Sequence, residues 1–192
     1  MPTPARTSTA QIVAAGRAIL EAEGLDGLTM QHVAAAVGVR APSLYKRVDG
    51  RSELVRLIAL DVANELSTVL EAAATTRDPA RDLVAIASAF RAFAHRHPEA
   101  YALLFRRLPE SLRPAIDMGL PGFETMFRTV EALAGRERRL EAARTVVAWA
   151  SGFISMELAG AFRLGGDVDE AFEYGAERIV AAISRRPAGE RR

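Results

Sequence analysis

Apolar residues return every three or four positions along most of this chain, the period of helices that pack on one face. Ile12, Ala15, Gly16, Ile19 and Leu20 mark one such face. Leu54, Ile58, Val62, Leu66 and Val69 mark another, and Leu83, Ile86, Phe90 and Phe93 a third. Alternating Val/Ile/Thr/Tyr runs bounded by turns, the pattern of strands, are not found. Alanine is abundant and aromatics make up only 6%, which favours helix throughout. The expectation is an all-α protein. With 192 residues, 49% of them hydrophobic, the chain can bury one or two cores.

Composition removes whole classes of chemistry. There is no cysteine, so disulfides, thiolate metal sites and cysteine nucleophiles are excluded. A formal net charge of +1 rules out wholesale basicity, so any contact with nucleic acid has to come from a local patch. Lys46 is the only lysine among 25 basic residues, a bias that points first to a GC-rich coding sequence rather than to a binding surface. Arg, Glu or Asp interrupts every long apolar stretch, and the first residues lack the apolar run of a signal peptide. A soluble, cytoplasmic protein with no membrane contact is expected.

Helix signals divide the chain. Ser8 and Gln11 form a capping-box pair, and Gly24 and Gly27 end the first helix. Thr29 is placed to cap a second, short helix with Val33, Ala34 and Val37 inside, and Gly38 closes it through a left-handed turn. Pro42 suits the first turn of a third short helix over 42–47. After Asp49-Gly50 a long helix runs over 51–73, and Thr75-Thr76-Arg77-Asp78-Pro79 reads as a linker. Further helices are expected over 79–96, 98–106, 122–134, 137–164 and 168–184, with an irregular stretch at 107–122. Residues 1–7 and 185–192 read as disordered ends.

The stretch from Thr29 to Arg47 reads as short helix, Gly-centred turn, short helix, the spacing of a helix-turn-helix whose second helix enters the DNA major groove. Ala34, Val37, Val39 and Leu44 are spaced to pack the two helices together. That leaves Arg40, Ala41, Ser43, Tyr45, Lys46 and Arg47 outside. Between Gly38 and Arg56 five basic residues (Arg40, Lys46, Arg47, Arg51, Arg56) face two acidic ones, Asp49 and Glu53. Such a local patch is what phosphate binding requires.

Residues 8–66 resemble the DNA-binding domain of the tetracycline-repressor (TetR/AcrR) family of bacterial transcription regulators. The resemblance is carried in order by Leu20 to Leu25, Leu28-Thr29, Val33-Ala34, Val37-Gly38-Val39, Ser43 to Val48 and Arg51-Ser52-Glu53-Leu54. It implies that Thr29 and Gln31 touch backbone phosphates and that Ser43, Tyr45 and Lys46 lie on the recognition helix. Tyr45 would reach a phosphate through its hydroxyl, and Arg51 occupies the family's basic phosphate position. Arg40 and Lys46 suit guanine edges. Gly50 departs from the Ser or Asn usual there and remains a tolerable helix cap.

The stretch from Trp149 to Phe162 resembles the family's WHG-type C-terminal subgroup. Gly152 is in place, Ser151 stands where the His is expected, and the Trp is shifted to 149, so no role of that His carries over. The small residues Ala148, Gly152, Ser155 and Ala159 would allow close helix approach. Phe172, Ala176, Ile179 and Ile183 follow at core spacing. The resemblance implies a homodimer that pairs these two helices with their copies, a palindromic double-stranded operator, and residues 74–184 as an effector-binding and dimerisation domain. Half-sites would then lie one DNA turn apart, roughly 34–36 Å.

Candidate pocket residues are Phe90, Phe93, Tyr101, Phe105, Phe123, Met126, Phe127, Trp149, Phe153 and Met156, with His97 among the polar groups. Such a lining fits a small, largely apolar effector. Metalloprotease, P-loop, nucleophile-elbow and dinucleotide motifs are all missing from the sequence, so neither enzyme activity nor a cofactor or metal is expected. The reading is a ligand-responsive regulator, a repressor by the family's usual mode. The competing reading is a helical protein-interaction adaptor, which would show no salt-dependent affinity for DNA.

Overall fold

The structure is a computed structural model and describes residues 7–105 and 121–184. Nine helices are described: α1 (Thr9–Gly27), α2 (Met30–Ala36), α3 (Ala41–Leu44), α4 (Gly50–Ala73), α5 (Pro79–Arg96), α6 (Pro98–Phe105), α7 (Pro121–Ala134), α8 (Arg139–Leu158) and α9 (Val168–Ile183). A 3₁₀ turn at Arg136–Arg138 leads into α8. Among the described residues there is no strand, and no helix is long and apolar enough to cross a membrane. The segments 1–6, 106–120 and 185–192, with the expected terminal arms and most of the irregular stretch, lie outside the described residues.

The described residues group into two compact units, one of 7–65 with 97–105 and one of 66–96 with 121–184. Helix α4 contributes to both. Helix α6 joins the first unit although it lies within the stretch read from sequence as the second domain.

In the first unit, Ser8 Oγ accepts the N–H of Gln11 at 3.2 Å while Gln11 returns an acceptor to Ser8 N–H at 2.8 Å. Both orphan donors of the helix end are thereby satisfied. Gly24 breaks the regular helix at φ 69°. Ile12, Leu20, Leu28, Val33, Leu44, Leu54 and Ile58 form a fully buried core. Gly16 lets α4 approach closely: a Cβ there would stand 2.8 Å from the Ile58 Cδ1. On the polar side Arg17 bridges Asp61, at 3.0 Å, and Glu65.

In the second unit, Asp78 Oδ1 accepts the N–H of Ala80 at 3.0 Å and so caps α5, whose first residue is Pro79. The backbone N–H and the hydroxyl of Thr76 both donate to Asp82 at 2.8 Å. These bonds, the backbone one foremost, hold the Asp82 carboxyl below the usual carboxylate range. Helix α7 meets α4 at Gly122, whose N–H donates to Ser67 Oγ at 2.8 Å. A Cβ at Gly122 would fall 1.9 Å from the Ser67 carbonyl oxygen, so only glycine fits.

Helix α8 ends at Leu158 rather than at 164 as its composition suggested. Gly160, at φ 63°, turns the chain. Its N–H bonds Glu157 O at 2.9 Å, and that of Ala161 bonds Met156 O at 2.9 Å, the pair of bonds that closes a Schellman motif. Asp167 then caps α9 by accepting from Asp169 and Glu170.

Candidate nucleic-acid interface

Three local devices build the helix-turn-helix. Thr29 Oγ1 accepts the N–H of His32 at 3.1 Å and starts α2. Gly38, at φ 72°, ends it: its N–H reaches Ala35 O at 3.1 Å and that of Val39 reaches Ala34 O at 2.9 Å, a second Schellman closure. Arg40 then leads into α3, with Pro42 in its first turn. Helix α3 itself is one turn, Ala41–Leu44, shorter than the expected 42–47. The chain stays coiled beyond it, since Arg47 N–H bonds Leu44 O at 2.8 Å and Val48 N–H bonds the same oxygen at 3.0 Å.

Burial sorts the side chains of this segment into two sets. Val33, Ala34, Leu44 and Val48 are buried. Gln31, Arg40, Ser43, Lys46 and Arg47 are exposed, Ala41 is half-buried, and Tyr45 keeps 57% of its surface open. An open cleft of about 520 Å³ lies between α2 and α3, edged by Gln31, Ala35, Arg40, Ala41 and Tyr45. Guanidinium, ammonium, hydroxyl and amide groups therefore share one outward surface with small apolar ones. Phosphates and base edges require that mixture.

Arg51 stands apart from this set. Its Nε–H donates to Leu28 O at 2.8 Å and its Nη2 to Leu25 O at 2.6 Å, in a half-buried setting. Those carbonyls end α1, so two donors of this side chain are used inside the unit. Sequence spacing set the basic residue at the start of α4 but carried no signal for its direction.

The residues expected to line a pocket include members of both units. In the first unit Tyr101 is buried, Phe105 keeps 47% of its surface, and their rings lie 4.9 Å apart. His97 there sits between Glu65, at 3.6 Å, and Glu21, at 3.9 Å. In the second unit Phe90, Phe93 and Met126 are buried, and Phe123 and Phe127 are half-buried. Trp149 stacks on Phe172 at 5.1 Å, and Phe153 meets the same ring edge-on at 5.2 Å. These two belong to the packing of α8 on α9. Met156 is exposed. Ser151 Oγ is buried without a hydrogen-bond partner among the described residues.

Of the expected interface residues, Gly152, Ser155 and Ala159 are exposed on α8 together with Ala148. Phe172 and Ala176 turn inward instead and are buried in the unit's own core, with Ile179 and Ile183 half-buried on the same side. Core spacing is the same whether a helix packs on its own unit or on a copy. Sequence reasoning also missed a charged cluster under Phe172. Arg91 donates to Glu157 and to Asp169, the latter at 2.6 Å, and lies 4.9 Å from the centre of the Phe172 ring. His95 completes it at 2.8 Å from Glu157.

A capped, Gly-closed helix-turn-helix with an exposed cationic surface defines a DNA-binding transcription regulator. The family model for bacterial regulatory proteins of the tetR family matches residues 12–58, and the one for the tetracyclin repressor-like C-terminal domain matches residues 83–179. The chain belongs to the tetracycline-repressor family of bacterial transcription regulators. A helix-turn-helix transcriptional regulator of Mycobacterium tuberculosis is 27% identical over 185 residues, covering 95% of this chain and 84% of that one. In fold, a TetR transcriptional regulator from Streptomyces coelicolor aligns with a TM-score of 0.73 at 20% identity, over 94% of this chain and 100% of that one. A TetR variant from Acinetobacter baumannii, solved in complex with minocycline, aligns with a TM-score of 0.67 at 20% identity, over 92% and 96%.

Proposed function

We propose that this chain binds a palindromic DNA operator as a homodimer, represses transcription there, and is released by a small, largely apolar effector. One observation carries the reading: over residues 40–47 the exposed surface of α3 and its flanks presents Arg40, Ser43, Tyr45, Lys46 and Arg47, with no acidic residue before the exposed Asp49. Arg40 and Lys46 are assigned to base edges, with Thr29, Gln31, Ser43, Tyr45 and Arg47 to the phosphate backbone and Ala41 to close apolar contact. Support for a dimer comes from the exposed small residues Ala148, Gly152, Ser155 and Ala159, which would let a second copy approach α8 closely. Support for an effector comes from the minocycline held by the Acinetobacter relative and from the apolar composition of α5, α7 and α8. Helix α4, continuous over Gly50–Ala73, carries residues of both units and is the element through which an effector would alter DNA binding. A coupling of about 1–3 kcal/mol suffices to change occupancy strongly.

The test is selection of duplexes from a randomised library by the full chain, followed by titration of the enriched duplex at several salt concentrations. A two-fold repeated half-site and an affinity that falls steeply with salt are expected. Absence of any enriched duplex, with no salt-dependent affinity, would leave a helical protein-interaction adaptor. The enriched duplex then serves to screen apolar compounds for release.

A further inference from the structure

Two of the five N–H donors of the Arg51 guanidinium are used inside the unit. Leu25 O and Leu28 O lie at the end of α1, and both accept from Arg51 on the first turn of α4. Leu25 O already receives the N–H of Leu28 at 3.3 Å. Leu28 is fully buried, and its neighbour Thr29 caps α2. Helix α3 follows α2 through the hydrogen-bonded turn at Gly38. One side chain therefore fixes the peptide from which the whole helix-turn-helix is hung. A guanidinium suits this task because its planar fork reaches two carbonyls at once, which a single ammonium on a flexible stem does not.

We infer that Arg51 is a positioning residue for DNA reading: it sets the angle at which α2 and α3 leave α1 and α4, and it is not itself a phosphate contact. This rests on the reading of the chain as a DNA-binding regulator. The two roles make opposite demands on a charge-conserving substitution. A phosphate contact tolerates lysine, which binds phosphate as a point charge. A two-carbonyl hook does not.

The experiment compares wild type, Arg51→Lys and Arg51→Ala on the duplex that the wild type enriches from a randomised library and on a scrambled duplex of equal composition. Arg51→Lys is expected to lose about tenfold of its preference for the enriched duplex, the factor that one hydrogen bond of ordinary strength supplies. Its salt slope should match that of the wild type. Three results would overturn the inference. Wild-type binding by Arg51→Lys, with a slope lowered by about one in Arg51→Ala, would make Arg51 a phosphate contact. A lowered melting temperature with unchanged preference would make it purely structural. Failure of the wild type to enrich any duplex would remove the DNA-binding reading, and this inference with it. A measurement on the wild type guards against variants that do not fold. The Arg51 Nε–H resonance should exchange slowly with solvent and keep its shift when the enriched duplex is added; a large shift would place the group on DNA.

Discussion

Glu21 on α1 accepts the backbone N–H of Ala100 on α6 at 3.1 Å, and that of Glu99 at 3.3 Å. Both donors belong to the first turn of a helix, where backbone N–H groups have no partner within the helix and the dipole favours a negative charge. A side chain distant in sequence thus does for α6 what Ser8 does locally for α1. Glu21→Ala should lower stability by about 1 kcal/mol and speed amide exchange at Glu99 and Ala100. Glu21→Gln keeps an acceptor and should fall between the two. Amide exchange by NMR reads the effect directly, and unchanged exchange at these two positions would show that the cap contributes nothing.

The Arg91–Glu157 pair gives the second unit a pH dependence. Hydrogen bonds from Arg91, aided by His95, hold the Glu157 carboxyl below its ordinary value of 4.5 against the opposing effect of burial. A carboxyl whose folded pKa is depressed contributes stability above its unfolded pKa and loses it as pH falls through the folded one. Melting temperature should therefore hold near pH 6 and decline as the pH drops below about 4.5. Glu157→Gln, compared with wild type across that range, should flatten part of the decline. Glu157→Ala at neutral pH should cost more, about 2 kcal/mol, because it leaves the largely buried Arg91 with the exposed Asp169 as its remaining carboxylate. Parallel pH curves for wild type and Glu157→Gln would count against the pair as the source.

Much of the fold was legible in the sequence because its signals are local. Ser8 with Gln11, Thr29, Gly38 and Asp167 each act within five residues, so the pattern alone states the geometry. Relations that cross the chain were not. Arg51 was readable as a cation at the start of a helix, but its direction depends on two carbonyls far away in sequence. Phe172 and Ala176 showed core spacing, which does not say on which side the core lies. Gly160 is a different case: its signal was local, yet the expected helix over 137–164 ran straight through it. For the interface, residue type and exposure agree at Arg40, Tyr45 and Lys46; of the aromatic residues assigned to one pocket, Tyr101 and Phe105 belong to the first unit and the others to the second.

Gly152 separates the fold of one chain from the assembly of two. A Cβ there meets nothing within 4 Å. In a monomer Gly152→Ala should then be neutral or stabilising by about 0.5–1 kcal/mol, since alanine is the better helix former. Gly152→Arg should likewise leave helicity and melting temperature near wild type at low concentration. If two copies meet along this stripe, however, the arginine blocks their approach. Sedimentation should report monomers for Gly152→Arg and dimers for wild type, and affinity for a two-fold duplex should fall with the loss of the second half-site. Persistence of the dimer in Gly152→Arg would move the interface to another face.

Gly175 tests how tightly α9 lies on α8. A Cβ at this position would stand 2.6 Å from Cζ2 of Trp149 and 3.2 Å from its Nε1. The indole cannot retreat freely, because the ring of Phe172 stands 5.1 Å away and that of Phe153 6.1 Å. Gly175→Ala gains helix propensity of about 1 kcal/mol, but overpacking against a ring held on several sides costs about 1–3 kcal/mol. The clash should win. Trp149 is the chain's single tryptophan, so tryptophan fluorescence reports the surroundings of this one indole. Emission of Gly175→Ala should shift to the red and quench more readily, with a lower melting temperature. Unchanged emission together with a raised melting temperature would mean that the indole swings aside at no cost, and that helix propensity rather than packing governs this position.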